Sequence, residues 1–261
     1  MKQKLTIVKI GGNVIDNPEA LDTFLVDFSQ LKGPKVLVHG GGKLASQKLK
    51  QMGIEPKMVD GRRITDEQTL EVIVMVYGGL INKNIVAQLQ QLGNNALGLS
   101  GADMNSILAH KRPVREIDYG FAGDVDTVET ENLDLLINNS VVPVFCPLTH
   151  DKKGQLLNTN ADTIASQLAI GLSRSWSVDL VYCFEIKGVM KDMDKGIIFE
   201  EMNPATYEEA RTTGLLTGGI LPKLDNAFES LNQGVENVVI CQADALKNWS
   251  GSNFEGTVLH L

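Results

Sequence analysis

The sequence has few of the residues that build metal sites and disulfide frameworks. Its 261 residues include three cysteines and four histidines. Cys146, Cys183 and Cys241 are odd in number, far apart, and each placed in a strand-like run. This is typical of buried reduced thiols and not of disulfides or zinc ligands. The histidines show no metal-ligand spacing, so the sequence predicts no metal held by protein side chains.

Positive charge is also in deficit, with 24 Lys and Arg against 32 Asp and Glu and a net charge of −8. This balance argues against nucleic acid or an anionic membrane surface as the main partner. The first 50 residues are the exception, because they hold eight lysines against four acidic residues. A small anionic ligand near this segment is compatible with that excess, although a solvated basic face is the more common meaning.

Long apolar runs are missing as well. No stretch approaches the roughly 18 residues that a membrane-spanning helix needs. The N-terminal segment has Lys9 within its short apolar stretch and no small-residue cleavage site. We therefore expect a cytoplasmic protein without a membrane partner. Hydrophobic residues make up 43% of the chain, which is enough to bury a core and argues against disorder.

Short β-branched runs alternate with longer stretches of helical character. The predicted strands lie at about 5–10, 35–39, 95–99, 141–146, 178–183 and 236–241. Helices are predicted from Asn17, over 43–52, from Thr65 to Gly93 with an interruption at Gly78-Gly79, and over 160–172, 204–213 and 223–233. A hairpin is predicted within 149–158. The alternation predicts an α/β fold with a mostly parallel sheet and helices on both faces.

The first candidate site lies at the end of the first predicted strand, where ligands bind in sheets of this kind. Lys9 stands two residues before the paired glycines Gly11 and Gly12, at the end of an apolar run. A buried ammonium group needs an anionic partner or a route to water. We interpret Lys9 as a ligand-binding residue; the alternative is a lysine at a sheet edge whose head group reaches solvent.

The second predicted strand ends in a His-Gly-Gly-Gly run, residues 39–42, and continues directly into a helix. Such glycines permit close approach of the backbone to a ligand, and a helix N-terminus offers free N–H groups to an anion. The same run occurs as the oxyanion-hole signature of some esterases, and Ser100 lies in a Gly-Leu-Ser-Gly-Ala run close to a nucleophile elbow. An α/β-hydrolase using Ser100, Asp162 and His260 is therefore an alternative.

Further polar motifs stand at predicted helix starts. Arg62 and Arg63 precede the long helix, and guanidinium groups there suit a carboxylate or phosphate, or are ordinary surface charge. Residues 158–162 read Asn-Thr-Asn-Ala-Asp, in which the polar side chains either cap the next helix or bind a ligand. Residues 217–223 read Thr-Gly-Gly-Ile-Leu-Pro-Lys, a second glycine-rich segment that ends in a lysine.

Together these motifs resemble the amino acid kinase family. They are Lys-Ile-Gly-Gly, His-Gly-Gly-Gly, Gly-Arg-Arg-Ile-Thr, Asn-Thr-Asn-Ala-Asp and Thr-Gly-Gly-Ile-Leu-Pro-Lys, in this order, and the similarity covers essentially the whole chain. The resemblance implies a three-layer α/β/α sandwich of the carbamate-kinase-like kind. Within the family it points to members that use ATP to phosphorylate the side-chain carboxylate of N-acetyl-L-glutamate in arginine biosynthesis.

The resemblance also implies roles for individual residues. Lys9 and Lys223 stabilise the transferring phosphoryl group, and Asp162 holds both lysines in place. The acyl-glutamate substrate is bound by Gly41, Gly42, Arg63 and Asn158, with Arg63 on the α-carboxylate. ATP and its phosphates are bound by Gly11, Gly12, Glu185, Gly188, Thr217, Gly218 and Gly219. Mg²⁺ is expected to come with ATP and to be held mainly through the nucleotide phosphates and water.

Two positions depart from the family's usual pattern. Members usually have Thr or Ser followed by Asp in the nucleotide-side loop, where this chain has Phe184 and Glu185. Arg62 stands where the family commonly has Leu. Arg62 is either surface charge or the partner of a further carboxylate, as in N-succinyl-L-glutamate. The acyl group of the substrate therefore stays open between acetyl and succinyl.

The resemblance gives expectations for organisation as well. The chain is expected to be a single domain whose residues 1–175 bind the acyl-glutamate and whose residues 176–261 bind ATP. Arginine-inhibited members of the family carry an extra N-terminal helix; here the first strand starts within a few residues of Met1. A homodimer that is insensitive to arginine is therefore expected. A ligand sensor without turnover is the remaining alternative, against which the presence of both lysines and Asp162 argues.

Overall fold

The computed structural model describes residues 2–59, 61–249, 251 and 253–261. Its strands, numbered along the chain, are β1 (Lys4–Ile10), β2 (Lys35–His39), β3 (Met58–Val59), β4 (Arg62–Arg63), β5 (Ala96–Leu99), β6 (Ile107–Lys111), β7 (Gly123–Val128), β8 (Val142–Phe145), β9 (Leu148–His150), β10 (Leu156–Asn158), β11 (Ser177–Phe184), β12 (Met190–Asp192), β13 (Ile197–Ile198), β14 (Glu201–Met202), β15 (Asn237–Gln242) and β16 (Gly256–Leu259). The strands predicted from the sequence are all among them.

The helices are α1 (Gly12–Ile15), α2 (Pro18–Gln30), α3 (Gly42–Gln51), α4 (Glu67–Val74), α5 (Asn82–Gln91), α6 (Thr130–Asn138), α7 (Ala161–Leu172), α8 (Pro204–Thr212) and α9 (Leu221–Asn232). A π-helical segment, Met75–Ile81, joins α4 to α5. Short 3-10 turns occur at Asp103–Asn105, Gly218–Ile220 and Ala243–Asn248. The side chain of Asn17 caps α2 by accepting a hydrogen bond from the backbone N–H of Ala20, as predicted.

The main sheet has eight strands in the order β14-β16-β15-β11-β1-β2-β8-β5. β1 pairs in parallel with both β2 and β11, and parallel pairing continues outward to β8, β5 and β15. β15 and β16 form an antiparallel pair near one edge. The prediction of a mostly parallel sheet is therefore confirmed. β1 and β2 lie side by side with β11, so their carboxyl ends meet at one edge.

Hydrophobic clusters cover both faces of this sheet, as expected for three layers. Leu5 and Ile7 belong to the cluster formed with α7 and α9. Val8 and Ile10 belong to the cluster formed with α2 and α5. Side chains along a strand alternate between faces, so Lys9 lies on the same face as Leu5 and Ile7. The pleat of β1 therefore directs Lys9 toward the layer of α7 and α9.

The long helix differs from its prediction. Gly78 and Gly79 do not interrupt it, because they lie inside the π-helical segment that connects α4 with α5. Its N-cap is Asp66, whose carboxylate accepts a hydrogen bond from the N–H of Thr69. Among the described residues, one helix (Glu67–Gln91) has the length and composition of a membrane span, a test that the core helix of a globular protein also passes. Ile73, Val76, Ile81 and Ile85 on this helix are buried in the core.

A second sheet of four strands, in the order β10-β9-β6-β7, covers the edge where β1 and β2 end. The hairpin of β9 and β10 was predicted, and the two strands pair antiparallel. The pairing of β6 with β7 was not predicted from the sequence. This sheet matters for the site because Asn158 ends β10 and Asp124 lies in β7.

Candidate active site

A cavity of about 230 Å³ opens at the carboxyl ends of β1 and β2. It gathers residues that the sequence places far apart, and nine of those predicted for the site line it: Lys9, Gly11, Gly12, Gly41, Gly42, Arg62, Arg63, Asn158 and Asp162. The other predicted residues belong to the C-terminal half of the chain. None of these residues lines this cavity, although Lys223, on α9, lies at the same Phe184 ring as Lys9; the others are Glu185, Gly188, Thr217, Gly218 and Gly219.

Lys9 and Asp162 form an ion pair at the floor of the cavity. The Lys9 Nζ to Asp162 Oδ1 distance is 2.7 Å, and the Lys9 side chain is 9% exposed. Asn160 caps α7 by accepting hydrogen bonds from the N–H groups of Asp162 and Thr163. The Asp162 carboxylate is therefore not needed as a cap and is available to the lysine. The anionic partner that a buried ammonium group requires is thus supplied by the first turn of α7.

Lys223 lies in the first turn of α9, an unfavourable end of a helix for a positive charge. Burial lowers the pKa of Lys223, with Asp162 acting in the opposite direction and Lys9 in the same direction. Its Nζ lies 3.6 Å from the centroid of the Phe184 ring. In the described part of the chain, Asp162 pairs with Lys9 and forms no ion pair with Lys223. The resemblance implied that Asp162 holds both lysines, whereas here it contacts one of them.

Two glycine-containing loops face the cavity beside these charges. Gly12 begins α1 directly after β1, and Gly42 begins α3 directly after β2, so both loops lead into helix N-termini with free N–H groups. Gly41 has φ of +145°, a conformation that side chains rarely allow, and a Cβ there would overlap Ile81. The second loop therefore needs glycine for its backbone conformation and for its contact with the long helix.

His39 supports the second glycine-containing loop, residues 40–42, through a hydrogen bond to its backbone. The ring is fully buried, its Nδ1 lies 2.8 Å from the carbonyl oxygen of Gly40, and its Nε2 lies 3.2 Å from Nδ2 of Asn82. A carbonyl can only accept and an amide nitrogen can only donate, so His39 is the neutral tautomer with its proton on Nδ1. Burial lowers the pKa of His39 to about 4. We therefore assign His39 to positioning of the Gly40 backbone rather than to proton transfer.

Arg63 is a buried guanidinium with spare hydrogen-bonding capacity. Its Nη2 donates to the carbonyl oxygen of Gly42 and to Oγ of Ser46, each at 2.8 Å. Its Nη1 is buried and has no hydrogen-bond partner among the described residues. The Tyr77 ring lies beside it, and burial raises the pKa of the Tyr77 hydroxyl. A buried donor without a partner favours an acceptor from a ligand, and a carboxylate matches the geometry of a guanidinium.

Arg62 lies at the rim of the cavity and is exposed. Beside it, Arg112 donates from Nε to both carboxylate oxygens of Asp124, at 3.1 and 3.2 Å. This pairing holds the pKa of Asp124 below its ordinary value, with a smaller contribution from Arg62. The charge of Arg112 is thus matched within the protein.

Asn158, at the end of β10, donates from Nδ2 to Oγ1 of Thr65 at 3.0 Å. Its amide oxygen faces no such partner among the described residues, so a donor on a ligand would suit it.

The predicted nucleotide-side residues lie on the C-terminal half of the main sheet. Gly218 has φ of +68° and opens the 3-10 turn that leads into α9. Glu185 and Thr217 are exposed, and the carbonyl oxygen of Glu185 accepts a hydrogen bond from Gln242. At Gly188 a Cβ would lie 2.6 Å from Oγ1 of Thr257. Close packing is therefore a sufficient reason for glycine at position 188.

The hydrolase triad is not assembled, which corrects that alternative. The hydroxyl of Ser100 donates to Asp103 at 2.7 Å. His260 lies next to Glu201, with 3.8 Å between its Nε2 and the carboxylate, and Asp162 is paired with Lys9. Among the described residues, Ser100, Asp162 and His260 each have a different neighbour, so the triad that a hydrolase would need is not formed.

The sequence did not indicate the residues that hold the functional groups in place. Ser46 lies one helical turn after Gly42 on α3, so its contact with the Arg63 site follows from helical spacing once Gly42 is placed there. Asn82 and Tyr77 lie on the long helix, and no local pattern connects them with residues 39–42. Their contribution depends on how that helix packs across the end of β2.

Comparison with known proteins identifies the family of this chain. The model of the amino acid kinase family matches residues 4–242. The acetylglutamate kinase of Cytophaga hutchinsonii is 57% identical over 246 residues, which cover 94% of this chain and 93% of that protein. The acetylglutamate kinase of Bacteroides thetaiotaomicron is 53% identical over 256 residues, which cover 98% of this chain and 100% of that protein.

Solved structures with the same fold are more distant in sequence. N-acetylglutamate synthase from Neisseria gonorrhoeae, complexed with coenzyme A and N-acetyl-glutamate, has a TM-score of 0.83 at 21% identity. The superposition covers 100% of this chain and 60% of the synthase chain. Carbamate kinase from Giardia lamblia bound to AMP-PNP has a TM-score of 0.69 at 14% identity, covering 99% of this chain and 98% of its own. These likenesses concern the fold. With the family model matching nearly the whole chain, and close relatives covered over nearly their full length, the chain belongs to the amino acid kinase family.

Proposed function

We propose that this chain transfers the γ-phosphoryl group of ATP to the side-chain carboxylate of N-acetyl-L-glutamate. The observation that carries the proposal is one cavity that presents both the buried Arg63 guanidinium with an unused donor and the Lys9 ammonium group, with Lys223 close to Lys9. The substrate needs both kinds of cation. Its α-carboxylate requires a binding partner such as Arg63, and its side-chain carboxylate must approach the negatively charged γ-phosphate of ATP, which the lysines make possible. Relatives at 50–57% identity that share the name acetylglutamate kinase support this reaction.

The reaction does not require a side chain that removes a proton from the substrate. A glutamate side chain is already ionised at neutral pH, so its oxygen attacks the γ-phosphorus without a base. The new bond joins carboxylate oxygen to phosphorus, the bond from phosphorus to the β,γ-bridging oxygen breaks, and ADP leaves in line. Lys9 and Lys223 act by offsetting the negative charge that this approach concentrates. Asp162 orients Lys9, as the 2.7 Å contact supports.

We propose that the N-terminal half, residues 1–175, binds the acyl-glutamate. Arg63 takes the α-carboxylate, Asn158 and the backbone N–H groups of Gly41 and Gly42 take the remaining polar groups, and His39 keeps that loop in shape. The N–H groups of Gly11 and Gly12 lie at the start of α1 next to Lys9 and would bind phosphate oxygens. The fold supports this division, since strands of residues 1–175 form one side of the main sheet.

Residues 176–261 are proposed to bind ATP, using Glu185, Gly188, Thr217, Gly218 and Gly219 around the nucleotide. β11, β15, β16 and β14 form the other side of the sheet and meet the first half where β1 pairs with β11. Mg²⁺ would enter with ATP, because it keeps much of its water and binds through phosphate oxygens. Asp162 is the carboxylate that lines the cavity and is occupied by Lys9, so it is a weak candidate for a direct ligand.

The reaction is tested by trapping its product. An acyl phosphate reacts with hydroxylamine to give a hydroxamate, so the purified chain should form hydroxamate from N-acetyl-L-glutamate only when ATP and Mg²⁺ are present. The Ser100→Ala variant is the matched control, because a hydrolase would lose activity and this kinase would keep it. Absence of ATP-dependent hydroxamate from the folded protein would overturn the proposal.

We propose that Arg62 governs discrimination between acyl groups. Its exposed guanidinium lies at the rim, where a second carboxylate on the acyl group would reach it, and its neighbour Arg112 is already paired with Asp124. Arg62→Leu is expected to lower kcat/KM for N-succinyl-L-glutamate about fivefold and to leave the value for N-acetyl-L-glutamate unchanged, as an exposed ion pair contributes at most ~1 kcal/mol. Arg174→Leu serves as the control. An unchanged ratio between the two substrates would show that Arg62 is surface charge.

A homodimer is proposed, with the long helix at its interface. Leu70, Val74 and Met75 form an apolar groove with Gly154 and Leu156 of the β9–β10 hairpin, and Met75 is 53% exposed. A second copy would cover this groove, because exposed apolar patches on a stable protein commonly mark association sites. Met75→Asp should reduce the mass measured by light scattering toward that of a monomer, whereas Met193→Asp, at a more exposed methionine, should not. A monomeric wild-type protein would contradict the proposal.

We also propose that the protein acts in the cytoplasm, because it would catalyse a biosynthetic step on small-molecule substrates.

A further inference from the structure

The Phe184 ring lies close to both lysines of the proposed transfer site. It ends β11, next to β1, where the sequence departs from the Thr or Ser that the family usually has. Lys223 Nζ lies 3.6 Å from the centroid of its ring, and Lys9 Nζ lies 5.2 Å from the same centroid. Two catalytic ammonium groups therefore share one aromatic side chain.

The charges around the ring explain why such a contact is useful. Lys9 has Asp162 as its ion-pair partner, whereas Lys223 has none within the described residues. The charged groups that act on Lys223 are Lys9 on β1, Asp162 on α7 and Glu185 after β11, and burial disfavours its charged form. The face of an aromatic ring carries partial negative charge and attracts a cation within about 6 Å. Phe184 thus provides favourable electrostatics for Lys223 without an additional carboxylate, which would repel the phosphates of ATP.

The ring itself is held firmly in place. Tyr182 precedes it on the same face of β11, and the two rings stack with centroids 5.4 Å apart and planes 6° apart. The hydroxyl of Tyr182 donates to the backbone carbonyl of Asp162 at 3.2 Å, and Tyr182 is opposite Lys9 in the register of β1 and β11. Tyr182, Phe184, Lys9 and Asp162 therefore form one packed group.

We propose that Phe184 is a positioning residue, which holds the Lys223 and Lys9 ammonium groups together at the transfer site before ATP arrives. The inference rests on the proposed phosphoryl transfer and deepens it. The ring contacts the ammonium groups through its aromatic face, and a phenylalanine side chain forms no conventional hydrogen bond with them. The N–H groups of Lys223, and those of Lys9 that do not face Asp162, therefore remain available to the γ-phosphoryl group.

Phe184→Leu tests this role, because it keeps an apolar side chain and removes the aromatic face. We expect kcat to fall roughly 5- to 30-fold, the effect of losing a desolvated cation–π contact, with KM for N-acetyl-L-glutamate within twofold of wild type. The alkaline limb of the kcat profile should move down by about 0.5–1 pH unit, since an ammonium group without the ring loses its proton more easily. Phe184→Tyr keeps the aromatic face and should retain wild-type kcat and the wild-type limb.

Phe28→Leu is the matched control. Lys35 Nζ lies 5.2 Å from the Phe28 ring, so the same substitution removes the same kind of contact beside the start of β2, away from the cavity. It should change thermal stability without moving the alkaline limb. A Phe184→Leu enzyme with wild-type kcat and limb, or a Phe184→Tyr enzyme as impaired as Phe184→Leu, overturns the inference while leaving the kinase in place. A wild-type protein without ATP-dependent hydroxamate overturns both.

Discussion

Lys9→Ala and Lys223→Ala should each lower kcat for hydroxamate formation about 10²–10³-fold, the usual cost of removing one group that stabilises transition-state charge. Each lysine supplies a positive charge that is only partly matched by the protein. Lys9 shares its charge with Asp162 at 2.7 Å, and Lys223 faces the ring of Phe184. The positive charge of the two lysines therefore stabilises most strongly the transition state, in which the phosphoryl group lies between ADP and the acyl-glutamate carboxylate.

The two single variants are also expected to differ in stability. Lys9→Ala leaves the Asp162 carboxylate without its partner, in a partly buried position, and should lower the melting temperature slightly. Lys223→Ala removes a cation from a helix N-terminus, where it is unfavourable, and should leave stability unchanged or slightly raised. A thermal melt for each variant separates this effect from the loss of turnover.

The control for both is Lys32→Ala, an exposed lysine just before β2 at the opposite edge of the sheet. It should leave kcat unchanged. The double variant Lys9→Ala/Lys223→Ala is expected to lose less than the product of the single losses, because the two lysines act on the same group. Wild-type turnover in both single variants would refute the proposed role of the site.

Arg63→Lys is expected to raise KM for N-acetyl-L-glutamate about 10- to 10²-fold with little change in kcat. In the wild type, Nη2 is used by Gly42 and Ser46, which orients the planar guanidinium and leaves the buried Nη1 for the substrate. A lysine has a single nitrogen and cannot hold both the loop and a carboxylate in that geometry. A hydrogen bond between charged partners contributes about 1.5–3 kcal/mol, which gives the expected range.

Ser46→Ala separates binding from support. It removes one of the two contacts that orient Arg63 and leaves the guanidinium in place, so KM should rise by less than in Arg63→Lys. The KM for ATP should stay near the wild-type value in both variants. An Arg63→Lys enzyme that folds and keeps the wild-type KM for the acyl-glutamate would show that the α-carboxylate binds elsewhere.

Much of the fold could be predicted because its elements have strong local patterns. The strand of Lys4–Ile10 is an apolar run ending in glycines, and the cap at Asn17 follows from Asn-Pro-Glu. The pairing of β6 with β7 was not predicted, because it belongs to a small second sheet whose partners are not indicated by any local pattern. The helix through Gly78 and Gly79 was predicted to be interrupted, since glycine lowers helix propensity. Packing of Val76, Tyr77 and Ile81 in the core overrides that preference.

The sequence by itself determined the kinds of groups that this site contains: a lysine before paired glycines, a His-Gly-Gly-Gly run, an Arg63 before a helix and a second lysine far along the chain. Spacing along the chain cannot show which of these side chains meet. The tertiary structure decided that Asn160 and not Asp162 caps α7, that Ser100 contacts Asp103 and not His260, and that Phe184 faces both lysines. The physical reason is the pleat and pairing of β1 with β11, which direct alternate side chains toward α7 and α9 and so bring distant residues to one edge of the sheet.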